Sequence, residues 1–249
     1  MISGGSTSEW RAPAALALGA RSVHVWRVSL SRGNREEFVR LLSPDEQERA
    51  RRFIHERDAH AYIVAHGTLR RVLAGYQSTA AASLRFVAGA FGKPSLVESP
   101  HAPSLEFNLS HSGDLALIAV SRCGPVGVDV EQWDRRVEHL ELAEQFFSPI
   151  ERAALRALAH DVEERTEGFF NAWTRKEAYL KATGHGITRG LHHFDVSLAP
   201  REPAALLADR FDPSAPDRWR MMALLPGASY SGAVVVTRAI TEILLYDSV

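Results

Sequence analysis

"NAWTRKEAYLKATGHG", residues 171 to 186, has the spacing of a helix that ends near glycines, yet it sets an acid where apolar side chains are expected. At ~100° per residue, Phe169, Leu180, Trp173, Glu177 and Phe170 fall on one arc, with Lys181 just beyond it. Glu177 is therefore expected among aromatic rings. An ionised carboxylate held out of water without a partner is costly. A metal ion together with Lys181, one turn on, would offset that charge, the other reading of Glu177 and Lys181 being an ordinary surface salt bridge.

Working outward, residues 163 to 183 read as one long helix, and "SPIERAALRALA" at 148 to 159 opens a shorter one with Ser-Pro. "PVGVDVEQW" before them is a strand; "FDVSL", "WRMMALL" and "GASYSGAVVVT" after them are strands, the last two joined by a Pro-Gly turn. The first half has the same order. "VHVWRVSL" at 23 to 30 is a strand, "SPDEQERARRF" at 43 to 53 opens a helix, and "ERDAHAYIVAHGTLRRVLAGY" is a long helix ending at a glycine. "LRFVAG" and "EFNLSHSGDLALIAVSR" follow, the latter a hairpin turning at Gly113-Asp114. The two Ser-Pro starts lie about 105 residues apart. These patterns predict an α+β fold built as a pseudo-twofold duplication of two similar subdomains, over 23–124 and 125–249, after an N-terminal extension, 1–22, open to flexibility. A site is expected at the seam between them.

Composition narrows the function classes. With 45% hydrophobic residues in 249, the chain can bury a substantial core. Lys plus Arg at 29 against Asp plus Glu at 30 gives no overall field for nucleic acid or an anionic membrane, so any anion must be recognised locally. Cys123 is the single cysteine, which excludes an internal disulfide and a cysteine-built zinc site and fits the cytoplasm. "RAPAALALGA" is too short and too near Glu9 for a signal peptide, and runs such as "ALIAV" cannot span a bilayer.

In "GVDVEQ", Val128 and Val130 point to one face of the strand and Asp129 and Glu131 to the other. Two readings stay open: a strand with one solvated face, or, if Glu177 reaches the same sheet, an all-oxygen site suited to Mg²⁺ and a substrate phosphate. Lys93 in "FGKPSL", Ser110 and His111 in "NLSHSGD", and Arg49 among the arginines of "ERARRF" could supply donors to phosphate. His55, His60, His66 and the pair His192-His193 show no zinc spacing.

Taken in order, "GKPSL", "FNLSHSGD", "GVDVEQ" and "FFNAWTRKEAYLKATGHGI" resemble the 4'-phosphopantetheinyl transferases of the long, surfactin-synthetase-activating type, over roughly residues 43 to 200. The resemblance implies coenzyme A in a cleft between the halves, Mg²⁺ on its pyrophosphate, and transfer of the phosphopantetheine arm to a serine of an apo acyl or peptidyl carrier protein. It implies Asp129, Glu131 and Glu177 as metal ligands. Arg49, Lys93, Ser110, His111, Asp129, Lys176 and Lys181 become contacts to coenzyme A, Glu177 the candidate general base, and Lys181 a phosphate-binding catalytic lysine. Glu46 departs from the pattern, because some relatives carry a second basic residue there. A monomer is expected, since the two halves already supply the seam. Two other functions use the same residues: a Mg²⁺-dependent phosphohydrolase, and a non-catalytic module that binds carrier proteins or coenzyme A.

Overall fold

The computed structural model describes residues 9–13, 16–89, 92–97, 104–134, 138–158, 160–186 and 189–248. The first half runs β1 (Ser22–Ser29), α1 (Arg35–Val39), α2 (Pro44–Arg51), α3 (Glu56–Gln77), β2 (Phe86–Ala88), β3 (Pro94–Leu96), β4 (Glu106–Ser112) and β5 (Leu115–Ser121). The second runs β6 (Val126–Gln132), α4 (His139–Phe146), α5 (Pro149–Ala157), α6 (Val162–Thr183), β7 (Phe194–Val196), β8 (Leu206–Asp209), α7 (Ala215–Arg218), β9 (Trp219–Leu224), β10 (Tyr230–Thr237) and β11 (Glu242–Asp247). The fold is α+β, as the sequence pattern predicts.

Each half folds its strands in the same order. The first gives β1-β5-β4 and the second β6-β10-β9, antiparallel throughout. β11 then leaves the second half and adds to the first sheet, parallel to β1. This strand is absent from the sequence reading because its partner lies some 220 residues away, and a parallel pairing leaves no local turn to read. Arg27 secures the crossing by holding Asp247 at 2.8 Å. Within the N-terminal segment, Arg11 donates its amide to Leu245 and Trp10 its indole N–H to the Leu225 carbonyl; residues 1–8, 14 and 15 of the expected extension lie outside the described residues.

The halves meet through an apolar layer. Val23, Val25, Leu117 and Ala119 from the first sheet pack against Val126, Val128, Val130, Val234 and Val236 from the second. The opposite face of β1, with Trp26 and Val28, packs under α3, and a separate core joins α6 to β10. β1 is thus buried on both faces, so that even its polar Ser22 and His24 are enclosed.

Both short helices start with the same device. Ser43 and Ser148 cap α2 and α5, each exchanging bonds with a glutamate three residues on, Glu46 or Glu151, with Pro at the first helical position. In the first half Arg70 of α3, 1% exposed, donates to Glu46 at 2.7 Å and to the carbonyls of Ala81 and Leu84 at 3.1 Å. Glu46, the departure from the family pattern, is therefore a structural ligand of Arg70. α3 does not end at Gly75 as expected but at Gln77, with Ser78 in the left-handed region. Gly75 instead makes room for Leu16, whose Cδ1 a β-carbon would strike.

Candidate functional site

β4 and β6 lie edge to edge at the seam, joined by side chains rather than by a backbone ladder. Asn108, Ser110 and Ser112 alternate along β4, so all three point the same way. Asn108 accepts from the Val128 amide at 2.8 Å, Ser110 donates to Asp129 at 2.7 Å, and Ser112 donates to Glu131 at 2.8 Å. The sequence reading picked out Ser110 but missed Asn108 and Ser112. Their period of two in "NLSHS" was the available signal.

α6 lies directly on this strand. Gly127 permits the approach: a β-carbon there would collide with the Ala178 carbonyl and the Ala182 amide of the helix. Lys181 therefore reaches Asp129 at 2.5 Å and Ser110 at 3.0 Å. Asp129 is 2% exposed, and its second oxygen, Oδ2, is buried without a hydrogen-bond partner. Such an orphan normally costs more than 1 kcal/mol.

Glu131 and Glu177 share this field. Burial, then Asp129, pushes Glu131 up to about 7, with Glu177 adding to the effect and Ser112 and Lys181 opposing it. Burial, then Asp129, also raises Glu177, with Lys181 working the other way. The aromatic members of the predicted arc turn into the second core, where Phe169 stacks on Phe147 and Trp173 at 5.3 and 5.7 Å. Glu177 is half-buried. Its positive neighbour is Lys181, one turn on.

The remaining predicted donors spread along the seam. Lys93 bridges the halves by donating to the carbonyls of Val126 and Lys181, at 3.0 and 2.9 Å. His111 opens onto solvent but is crowded enough that desolvation, then His66 and Lys181, pulls its imidazole below the ordinary value. Arg49 lies over the Tyr62 ring at 5.6 Å, and His66 stacks on that ring at 4.1 Å. Basic groups thus run from α2 across to Lys181.

Lys176 is elsewhere. The implied contact to coenzyme A does not suit its position: the ammonium is fully buried and donates to Glu151 at 2.8 Å, Leu191 O at 2.8 Å and Phe194 O at 2.6 Å. Three donors meet three acceptors, leaving none for a ligand. One residue before Glu177 on a helix is about 100° away, which turns Lys176 toward α5 and β7.

Among the described residues, no three His, Cys, Asp or Glu side chains form the tight cluster of a preformed metal site. The fit for a cation rests on charge: Asp129 raises the proton affinity of Glu131 and Glu177, Glu177 adds to that of Glu131, and Lys181 is the ammonium that counters them. A hard divalent ion would offset the excess and occupy the unpartnered Asp129 oxygen. Among the described residues no helix is long and apolar enough to cross a membrane.

Comparison with known proteins supplies the family. Residues 125–235 match the family model described as the 4'-phosphopantetheinyl transferase superfamily, and residues 26–123 match that of the 4'-phosphopantetheinyl transferase N-terminal region. The chain is 36% identical to the 4'-phosphopantetheinyl transferase HetI of Nostoc sp. over 90% of its own length and 91% of the relative's. It is 34% identical to the 4'-phosphopantetheinyl transferase Sfp of Bacillus subtilis, over 68% of this chain and 72% of that one. The L-aminoadipate-semialdehyde dehydrogenase-phosphopantetheinyl transferase of Homo sapiens is 28% identical over 65% of this chain and 54% of its own. On its two matched halves and its near full-length similarity to HetI, the chain belongs to the 4'-phosphopantetheinyl transferase superfamily, in its Sfp-like branch.

Proposed function

We propose that this protein moves the 4'-phosphopantetheine arm of coenzyme A onto a serine of an apo acyl or peptidyl carrier protein, with Mg²⁺, releasing adenosine 3',5'-bisphosphate. The observation that carries this reading is Asp129, buried at the seam with one oxygen held by Lys181 and Ser110 and the other without a partner. Asp129, Glu131 and Glu177 are the residues that would hold the ion. Bound there, Mg²⁺ would neutralise the diphosphate of coenzyme A.

The chain's own groups supply the rest. The serine oxygen bonds to the β-phosphorus, the bond from that phosphorus to the bridging oxygen breaks, and the bisphosphate leaves with the electron pair. Glu177, its proton affinity raised by burial and by Asp129, takes the serine proton. Lys181 stands beside Asp129 to meet charge developing on phosphoryl oxygens. Arg49, Lys93, Ser110 and His111 form the nucleotide side of the seam. Lys176 has no part in ligand binding.

The matching order of the halves supports a duplication with units over 23–124 and 125–249, and a monomer whose seam is internal. The lone Cys123 fits a cytoplasmic protein. The test is to incubate the purified protein with coenzyme A, Mg²⁺ and a panel of apo carriers, then measure intact mass. A gain of one phosphopantetheine on a carrier is the expected result. Release of phosphopantetheine to water without any carrier would favour a phosphohydrolase and defeat the proposal.

A further inference from the structure

α6 carries two lysines with opposite surroundings. Lys181 is partly open to solvent and sits in the acid cluster, whereas Lys176 is sealed on the far side of the helix. We propose that Glu151 and Lys176 act as a positioning pair, which fixes the rotation of α6 about its axis and so holds Glu177 and Lys181 toward β6. The transfer reading defines what is being positioned; the pairing itself stands on geometry.

Glu151 is 1% exposed and joins three elements. Its Oε2 accepts from the Ser148 amide at the start of α5, and its Oε1 accepts from the Val196 amide of β7 and from Lys176 of α6. Lys176 adds the Leu191 and Phe194 carbonyls and lies over the Phe194 ring at 4.4 Å. A helix held at one residue by three fixed acceptors cannot turn without breaking a buried charge pair. Glu177 is the next residue, and the contact at Gly127 leaves no slack between α6 and β6.

The first half provides the control. Arg70 is the fifteenth residue of α3, as Lys176 is of α6, and it too joins a capping-box glutamate to two carbonyls beyond its helix, over the Phe86 ring at 5.0 Å. There the strand matching β6 is β1, "SVHVWRVS", which has no carboxylate. The same clamp thus occurs where no acid site exists. Its role is architectural in both halves, and in the second it acts on the site.

The wild-type enzyme provides the first test: amine-reactive acylation with and without coenzyme A and Mg²⁺, read by peptide mass spectrometry. Lys176 should stay unlabelled in both states, while Lys181 is labelled in the free protein and protected by coenzyme A. Labelling of Lys176 that coenzyme A suppresses would overturn the proposal. Equal labelling of Lys181 in both states would count against the transfer reading and leave the pairing intact. Kinetics sharpen the test. Lys176→Met and Glu151→Gln should each lower kcat about tenfold or more with KM for coenzyme A within about twofold, and Lys176→Arg, copying the first half, should restore kcat. A tenfold rise in KM for Lys176→Met alone, with wild-type kinetics for Glu151→Gln, would assign Lys176 to the substrate.

Discussion

The two halves treat a buried acid in opposite ways. Burial works against the Glu46 carboxylate, but His66, the Ser43 amide and Arg70 outweigh it and hold the group down to about 2. Glu131 has Ser112 and a share of Lys181, which do not outweigh burial and Asp129, so it rises to about 7. One half completes its charge pairing and becomes scaffold. The other leaves acids under-compensated at the seam, where an incoming cation can complete them.

The largest expected effect separates matching helix positions. Glu177→Gln and Asp129→Ala should each lower transfer by roughly 10³-fold or more with the fold intact by circular dichroism. The residue that matches Glu177 in α3 is Arg71, an exposed partner of Glu37. Arg71→Gln should change kcat by less than about twofold. Equal losses from both would erase the functional difference between the halves.

Next in size is the first-half clamp. Arg70→Met takes the guanidinium from half-buried Glu46 and leaves it the Ser43 amide and His66, for an expected loss of about 3 kcal/mol in denaturant unfolding, while the folded fraction keeps wild-type KM. A folded Arg70→Met enzyme with lost coenzyme A binding would show that this clamp is part of the site.

A smaller effect is the response to pH. Glu131 has its folded value above 4.5, so its contribution is full below about 4.5 and is lost as pH rises through about 7. The free enzyme should lose roughly 4 °C in Tm between pH 5 and 8, and Glu131→Gln should flatten that slope. Glu46, with its value depressed, contributes above about 4.5 and loses that contribution as pH falls toward about 2. Mg²⁺ with coenzyme A should stabilise more at pH 8 than at pH 5, because protons compete for the same oxygens. Smallest of all, Arg51→Ala removes the exposed pair with Glu48 and should cost no more than about 0.5 kcal/mol.

Much of this was legible from local signals. Ser-Pro starts, glycine turns and the alternation of "GVDVEQ" locate the capped helices, the hairpin and two of the acids, because each is fixed within a few residues. The helical spacing also places Lys181 one turn from Glu177. What stayed hidden depends on distant partners: β11 needs β1, Ser112 needs Glu131, and Lys176 needs Glu151. The family pattern groups Lys176 with its neighbours in sequence, but a helix sends adjacent side chains to different faces. No spacing rule reveals that a capping glutamate doubles as the acceptor of a buried cation.

The most direct test of the seam site is Mn²⁺ binding by electron paramagnetic resonance in the presence of coenzyme A. One ion per chain should bind in the wild type and be lost in Asp129→Ala, with Arg70→Met retaining it. Undiminished binding of that ion by Asp129→Ala would contradict the proposal that the second half's acids hold the metal.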